Sequence, residues 1–179
     1  MVMIEARIHK SGEGKAVLER VSHRIDALGQ LYATLSRSDT VEAVDAAAYL
    51  DELCRELVAS AQRDGMSVEL KTDIESERLP TDQAIPIGLI VNELVTNSLK
   101  YAFPRDSGGT VTVALKRASG ELRLTVADNG KGVDARRADS GLGGRLVEGF
   151  AVQLGGRIER ESSSKGTTVR LIVPRRKKS

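Results

Sequence analysis

Segments that alternate between apolar and polar residues constrain the fold of this chain more than any other feature. Two of them, TVTVALKR (110–117) and ELRLTVAD (121–128), are separated only by the residues ASG. Alternation with a period of two predicts strands with one buried face, and a short connection containing glycine predicts a β-hairpin. MSVELKTD (66–73), RIERES (157–162) and TTVRLIVP (167–174) are further predicted strands. We expect a mixed, largely antiparallel sheet that needs a layer of helices on its apolar face.

Segments with helical periodicity can supply that layer. Asp45 is a predicted N-cap for a helix that ends near Arg63. Thr81 or Asp82 is predicted to cap a second helix, and RLVEGFAVQL (145–154) forms a third, shorter one. The helix after Asp45 is expected to turn these residues inward: Tyr49, Leu50, Leu53, Leu57 and Val58.

A heptad pattern near the N-terminus predicts a further helix that packs against other helices. Its apolar residues recur at steps of three and four: Leu18, Val21, Ile25, Leu28, Tyr32 and Leu35. Such a stripe needs burial, so self-association through this helix is expected. The predicted layout is a helical hairpin or stub followed by an α/β sandwich.

Composition excludes several classes of function. The net charge of +2 is concentrated in the basic tail at residues 175–178, so the remainder of the chain is slightly acidic. Three Tyr, two Phe and no Trp offer no stacking platform for single-stranded nucleic acid. The longest apolar run has about eight residues, far short of the roughly 20 that span a bilayer. The lone Cys54 is expected to be a small core residue, and a reducing cytoplasm is the expected location.

The segment VNELVTNSLKYAF (91–103) has an apolar face and an unusual polar face. An α-helix advances about 100° per residue, so five polar side chains fall within a sector of roughly 140°. These are Asn92, Glu93, Thr96, Asn97 and Lys100. The opposite, core-facing side is expected to hold Val91, Leu94, Val95 and Ser98. An ordinary amphipathic surface helix is the competing interpretation, but asparagine is a poor helix former and long charged side chains are more usual there.

Three glycine-containing segments accompany this helix. ADNGKGV (127–133) ends a predicted strand, SGLGGRLVEGF (140–150) enters a predicted helix, and KGTTVRL (165–171) opens the last strand. Glycines let a flat ligand approach the backbone, and exposed N–H groups at a helix N-terminus favour phosphate. Taken singly, each segment is equally consistent with a turn or a hinge.

In order and spacing, the four segments resemble those of the GHKL ATPases, the superfamily of gyrase, heat-shock chaperone, mismatch-repair and histidine kinase ATP-binding domains. The resemblance covers about Met66 to Pro174 and rests on Glu-x-x-x-Asn, Asp-x-Gly-x-Gly, Gly-x-Gly and Gly-Thr. It implies an α+β fold, a two-layer α/β sandwich of the Bergerat type, that binds ATP and Mg²⁺.

A narrower resemblance points to the second HisKA class of sensor histidine kinases, relatives of the HWE kinases. It rests on AIPIGLIVNELVTNSLKYAF and GLGGRLVEGFAVQLGG, and upstream on HRIDALGQLYATLSRSDTVEAVDAAAYLDELC. The chain departs from the HWE pattern because it has no Trp and carries Asn92 where those kinases have His. The implied division is a partial dimerisation hairpin over residues 1–40, a catalytic domain over 41–174 and a basic tail over 175–179.

The resemblance also implies roles for residues on the polar helix. Asn97 would coordinate Mg²⁺, and Glu93 would orient or deprotonate the attacking group. Lys100 would neutralise phosphate charge, and Tyr101 would line the nucleotide pocket.

Further implied roles fall on the glycine-containing segments. Asp128 would accept a hydrogen bond from the adenine amino group, and Thr167 would support the same end of the nucleotide. Gly130 and Gly132 would shape the pocket wall. Beside a lid over residues 133–140, three residues would contact the phosphates through their backbone: Gly141, Leu142 and Gly143.

The acceptor histidine of a histidine kinase is not evident in this sequence. The only histidines are His9 and His23, and too few residues separate His23 from Asn92 for a second hairpin helix plus a linker helix. We expect the acceptor box upstream of Met1 or lost, so that the phosphoryl group passes to a histidine supplied elsewhere. A response regulator receiver domain is then the expected partner. The alternatives are an anti-sigma-type serine kinase and a non-enzymatic phosphotransferase or scaffold with a decayed ATP site.

Overall fold

The computed structural model describes residues 43–63, 65–104, 108–132 and 142–174. Several predictions lie outside these residues: the N-terminal heptad helix with His9 and His23, the lid over 133–140, Gly141 and the basic tail. The division of the chain at residues 40 and 175 therefore stays a prediction.

Ten elements make up the described residues. In chain order they are β1 (Ala43–Asp45), α1 (Ala46–Arg63), β2 (Val68–Ile74), β3 (Arg78–Pro80), α2 (Thr81–Tyr101), β4 (Gly109–Ala118), β5 (Glu121–Asp128), α3 (Leu142–Gln153), β6 (Arg157–Ser163) and β7 (Gly166–Pro174).

Five strands form the main sheet in the order β2-β4-β5-β7-β6. Only β2 and β4 pair in parallel, and the other neighbours are antiparallel, as the alternating segments predicted. The helices pack on one face of this sheet and share one apolar core with it. The predicted two-layer α/β sandwich is confirmed.

The hairpin between β4 and β5 forms where the sequence predicted it. Ala118 pairs with Glu121, which leaves a two-residue turn. Both turn residues have positive φ, 53° at Ser119 and 82° at Gly120, as a type I′ turn requires. This turn keeps β5 in register, so that its last residue, Asp128, lies opposite Thr167 of β7.

Helix α1 begins with the predicted cap. Oδ1 of Asp45 accepts hydrogen bonds from the backbone N–H groups of Ala47 (2.9 Å) and Ala48 (3.4 Å), which otherwise have no intrahelical partner. The predicted inward residues Tyr49, Leu50, Leu53 and Val58 are buried, and Leu57 is partly buried against the same core.

Cys54 is a core residue, as predicted. It is fully buried on α1, and burial together with the nearby Asp51 raises the pKa of its thiol to about 12. A thiol that stays protonated at neutral pH is a poor nucleophile, so Cys54 contributes packing only.

The predicted cap of α2 is wrong. The helix already begins at Thr81, and the preceding Pro80 occupies the cap position with extended backbone angles. The reason is the short strand β3, which pairs with β1 and leads straight into the helix. Thr81 and Asp82 therefore lie in the first turn, where the charge of Asp82 is favourable beside the positive end of the helix dipole.

Helices α1 and α2 pack closely because α2 has a glycine, Gly88, at their contact. A Cβ atom added at Gly88 of α2 would lie 1.9 Å from the hydroxyl oxygen of Tyr49 on α1. Tyr49 is itself 3% exposed, so the ring has little room to move away. Gly88 thus allows α1 to pack directly on the helix that carries the polar face.

Among the described residues, no helix is both long enough and apolar enough to cross a lipid bilayer.

Candidate nucleotide-binding site

The predicted site residues come from three places that meet beside the C-terminal half of α2. The end of β5 supplies Asp128, the start of β7 supplies Thr167, and the start of α3 supplies Gly143. Antiparallel pairing puts the end of β5 next to the start of β7, and α3 packs against α2.

The side chain of Asp128, at the end of β5, forms hydrogen bonds to both α2 and β7. Its Oδ1 accepts hydrogen bonds from the backbone N–H groups of Gly130 (3.0 Å) and Thr167 (3.2 Å). Its Oδ2 accepts one from the hydroxyl of Ser98 on α2, at 3.0 Å. A carboxylate offers about four acceptor positions, so Oδ2 retains one for a further donor. The predicted residues Asp128, Thr167 and Gly130 are therefore brought together.

Ser98 is a residue that the sequence analysis placed on the core face without a function. It is 9% exposed, and its hydroxyl points toward the carboxylate of Asp128. Helical periodicity predicted its burial correctly. It could not reveal a partner 30 residues away in sequence, because that pairing depends on how α2 crosses the end of β5.

Three glycines permit close backbone contacts around Asp128. A Cβ atom at Gly130 would lie 2.4 Å from the carbonyl oxygen of Ala102, and one at Gly132 would lie 2.0 Å from that of Ser163. At Gly166 a Cβ atom would lie 1.9 Å from the carbonyl oxygen of Asp128, and its φ of 125° also disfavours other residues. A side chain at any of these positions would displace the strand ends that hold the carboxylate.

Glu93 and Asn97 lie one turn apart on α2, and both are brought near α3. Nδ2 of Asn97 donates a long hydrogen bond of 3.5 Å to Oε1 of Glu93. Glu93 is 8% exposed, and a Cβ atom at Gly143 would lie 1.8 Å from the same Oε1. The buried carboxylate thus contacts the N-terminal turn of α3, where backbone N–H groups favour negative charge.

Two more residues of the polar face, Asn92 and Thr96, carry buried atoms without partners. Oδ1 of Asn92 and Oγ1 of Thr96 accept or donate no hydrogen bond within the described ranges, although Asn92 is only 3% exposed. Unpaired buried polar atoms are costly and rare in native proteins. Their presence shows that this face of α2 is not an ordinary solvated surface.

Lys100 and Tyr101 lie at the outer edge of the site. Lys100 is exposed, and Tyr101 is 54% exposed. The ring that packs inside at this end of α2 is that of Phe103, which is buried against Gly109. Leu142, another predicted residue, begins α3.

A metal ion at this site would need substrate phosphates and water as ligands in addition to protein side chains. The described residues contain no group of three or more His, Cys, Asp or Glu side chains that could bind a metal ion. Mg²⁺ commonly binds through one or two side chains plus substrate phosphates and water. Asn97 fits this pattern because its amide nitrogen is turned to Glu93, which leaves its carbonyl oxygen for another partner.

Comparison with known protein families decides what kind of site this is. Residues 82–177 match the family model of the histidine kinase-, DNA gyrase B-, and HSP90-like ATPases. The chain belongs to this ATPase family. Residues 1–61 match a second family model, histidine kinase (HisKA_2), which confirms the narrower resemblance seen in the sequence.

Individual relatives agree with the family models. The chain is 29% identical to blue-light-activated histidine kinase 2 of Erythrobacter litoralis over 96% of its own length, and 28% identical to sensor histidine kinase PdtaS of Mycobacterium tuberculosis over 97%. The solved histidine kinase domain of the E. litoralis EL346 blue-light-activated kinase superposes with a TM-score of 0.79 at 26% identity, covering 96% of this chain and 86% of that one. The chain therefore carries the ATP-binding catalytic region of a histidine kinase.

The chain corresponds to only part of its full-length relatives. It spans 51% of the Erythrobacter relative and 36% of the mycobacterial one. A partial match concerns the anti-sigma F factor of Geobacillus stearothermophilus, 31% identical over 51% of this chain and 69% of that protein. This match covers only about half of the chain, less than the histidine kinase relatives cover.

Proposed function

We propose that this chain transfers the γ-phosphoryl group of Mg-ATP to a histidine as the catalytic part of a sensor histidine kinase. The observation that carries the proposal is the carboxylate of Asp128, anchored at three points and retaining one acceptor position on Oδ2. An adenine 6-amino group is a donor of the kind that this position accepts.

In this proposal, ATP lies along the polar face of α2 with its base at Asp128. Thr167 and Gly130 hold the carboxylate through their backbone, and Gly132 keeps the wall close to β6. The phosphates extend toward the first turn of α3, where they would meet the backbone of Leu142 and Gly143. A backbone contact from Gly141, which lies outside the described residues, is proposed on the family resemblance alone. Lys100 adds positive charge, and Tyr101 covers the outer side of the nucleotide.

Mg²⁺ fits the residues available at Asn97. The ion would supply Lewis-acid stabilisation of phosphate charge, and the carbonyl oxygen of Asn97 would hold it. Glu93 is the proposed catalytic carboxylate, which orients or deprotonates the attacking imidazole. Phosphoryl transfer depends mainly on positioning of the reactants and stabilisation of charge. A metal ligand and a carboxylate are the kinds of group that these two tasks require.

The acceptor and partners are proposed on the same basis. Neither His9 nor His23 suits the acceptor role by position in the sequence, so we propose that the accepting histidine lies outside this chain. A response regulator receiver domain is the proposed next acceptor. Self-association through the heptad helix and a cytoplasmic location stay predictions.

A phosphotransfer assay tests the proposal. The chain is incubated with γ-labelled ATP and Mg²⁺, alone and with a longer kinase that contains the acceptor box but carries Asp128→Ala at the matching position. Label that enters the longer partner and is lost in acid, as phosphohistidine is, supports the proposal. Label that survives acid indicates serine instead and favours the anti-sigma-type alternative, to which the Geobacillus relative points.

Nucleotide binding tests the second alternative, a non-enzymatic phosphotransferase or scaffold. Titration of Mg-ATP into the wild type and Asp128→Ala should show binding that the substitution abolishes. Absence of binding by the wild type would make the chain a scaffold or phosphotransfer protein whose ATP site has decayed.

A further inference from the structure

Ser98 is the strongest unassigned feature of the site. It is buried on α2, and its hydroxyl donates to Oδ2 of Asp128, the same oxygen that retains an acceptor position. The other oxygen, Oδ1, already receives two backbone N–H groups. Among the described residues, only Ser98 fixes the oxygen that would face a ligand.

We infer that Ser98 is a positioning residue that selects an amino group over a carbonyl group at position 6 of a purine. This inference rests on the proposed function, because it takes Asp128 as the residue that meets the base.

The direction of the Ser98 proton decides which ligand group is accepted. A serine hydroxyl has one hydrogen and two lone pairs, and here the hydrogen is directed to Asp128. Neither Ser98 nor the carboxylate then offers a proton to the ligand at this point. A 6-amino group finds acceptors, whereas a 6-carbonyl oxygen would meet the lone pairs of a carboxylate, which is unfavourable.

Ser98 also limits rotation of the carboxylate. The terminal torsion of an Asp side chain has a broad energy minimum, so hydrogen bonds determine where its oxygens lie. A buried serine in a helix can alternatively bond to the carbonyl one turn earlier. In this structure it reaches across to β5 instead, and so ties the orientation of the carboxylate to α2.

The test compares ATP with an analogue, inosine triphosphate, which carries a carbonyl oxygen at position 6 in place of the amino group. Dissociation constants are measured by calorimetry with Mg²⁺ for the wild type, Ser98→Ala, Ser98→Thr and Asp128→Ala. For the wild type we expect ATP to bind about tenfold or more tightly than its analogue, the range for a hydrogen bond to a charged group.

Ser98→Ala should reduce this preference by about threefold to tenfold, as expected for the loss of one orienting hydrogen bond, while affinity for the analogue changes little. Ser98→Thr keeps the hydroxyl and should restore the preference. Thr72→Val is the matched control, since it removes another hydroxyl–carboxylate hydrogen bond, 2.8 Å from Thr72 to Asp51, on the far edge strand of the sheet. It should leave both affinities unchanged.

Four results would overturn the inference, two of them specific to Ser98 and two to the proposed function. If Ser98→Ala weakens both ligands equally, or preserves the full preference for ATP, Ser98 is only a structural tie between α2 and β5. If the wild type binds no ATP, or Asp128→Ala binds it normally, the proposed function fails and the role of Ser98 fails with it. Alanine is the best helix former, and thermal unfolding of each variant checks that the fold is retained.

Discussion

Replacement of Asp128 by asparagine tests the proposed base site most directly, because it changes chemistry with little change in shape. In Asp128→Asn, the amide oxygen can still accept from the N–H groups of Gly130 and Thr167. The amide NH₂ then takes the place of Oδ2, and the hydroxyl of Ser98 can rotate to accept from it. All three protein partners keep a hydrogen bond but lose the contribution of the charge, so we expect the free energy of unfolding to fall by about 1–3 kcal/mol.

Nucleotide binding should change as well. The adenine amino group would meet a donor instead of a charged acceptor, and a hydrogen bond to a charged group is worth about 1.5–3 kcal/mol. At about 1.4 kcal/mol per factor of ten, the affinity for ATP should fall by roughly 10- to 100-fold. Inosine triphosphate, which carries a carbonyl oxygen at position 6, should gain affinity relative to ATP because the new NH₂ can donate to it.

Calorimetric titration with both nucleotides provides the measurement. Asp73→Asn is the control, since Asp73 is an exposed aspartate of β2 that pairs with Lys116 away from the site. It removes the same charge and should leave both affinities unaltered. If Asp128→Asn binds ATP as tightly as the wild type, Asp128 does not contact the base and the assignment of the pocket is wrong.

Two further substitutions address the phosphate end of the site. Asn97→Asp should reduce Mg²⁺-dependent turnover at least about a hundredfold, because it places a second carboxylate beside Glu93 and the phosphates. Hydrolysis or transfer at the wild-type rate would refute the metal assignment. Gly143→Ala should lower the free energy of unfolding by about 1–3 kcal/mol in urea titrations, since its Cβ atom would overlap Oε1 of Glu93. Gly149→Ala, on the same helix with open space around it, should instead stabilise the protein by about 0.5–1 kcal/mol, and equal effects of the two would contradict the contact with Glu93.

Much of the fold could be predicted because its signals are local. The β4–β5 hairpin follows from alternation and from a Ser-Gly turn, and α1 follows from Asp45 and a regular apolar pattern. The strands β1 and β3 could not be predicted, since three residues are too few to show alternation. Missing β3 also caused the error at the start of α2, because a strand that runs directly into a helix replaces the usual cap.

The site was predictable in its composition but not in its connections. Glu93, Asn97 and Asp128 were found as members of motifs, and the structure brings the first two together on α2 beside α3. The hydrogen bond from Ser98 to Asp128 depends on the crossing of α2 over the sheet, which no local pattern encodes. The periodicity of α2 alone was enough to predict that Ser98 is buried. Its hydrogen-bond partner depends on how distant elements pack together.

The packing of α1 against α2 has a consequence for the construction of hybrid kinases. The two family models meet in the gap between residues 61 and 82, which invites a junction there. Such a hybrid would take α1 from one parent and α2 from the other, and Tyr49 would face a foreign residue where Gly88 now admits it. A junction before Ala43 would keep both helices and the β1–β3 pairing from the same parent. We therefore expect a junction before Ala43 to preserve the fold better than one after α1, although the histidine kinase family model extends to residue 61.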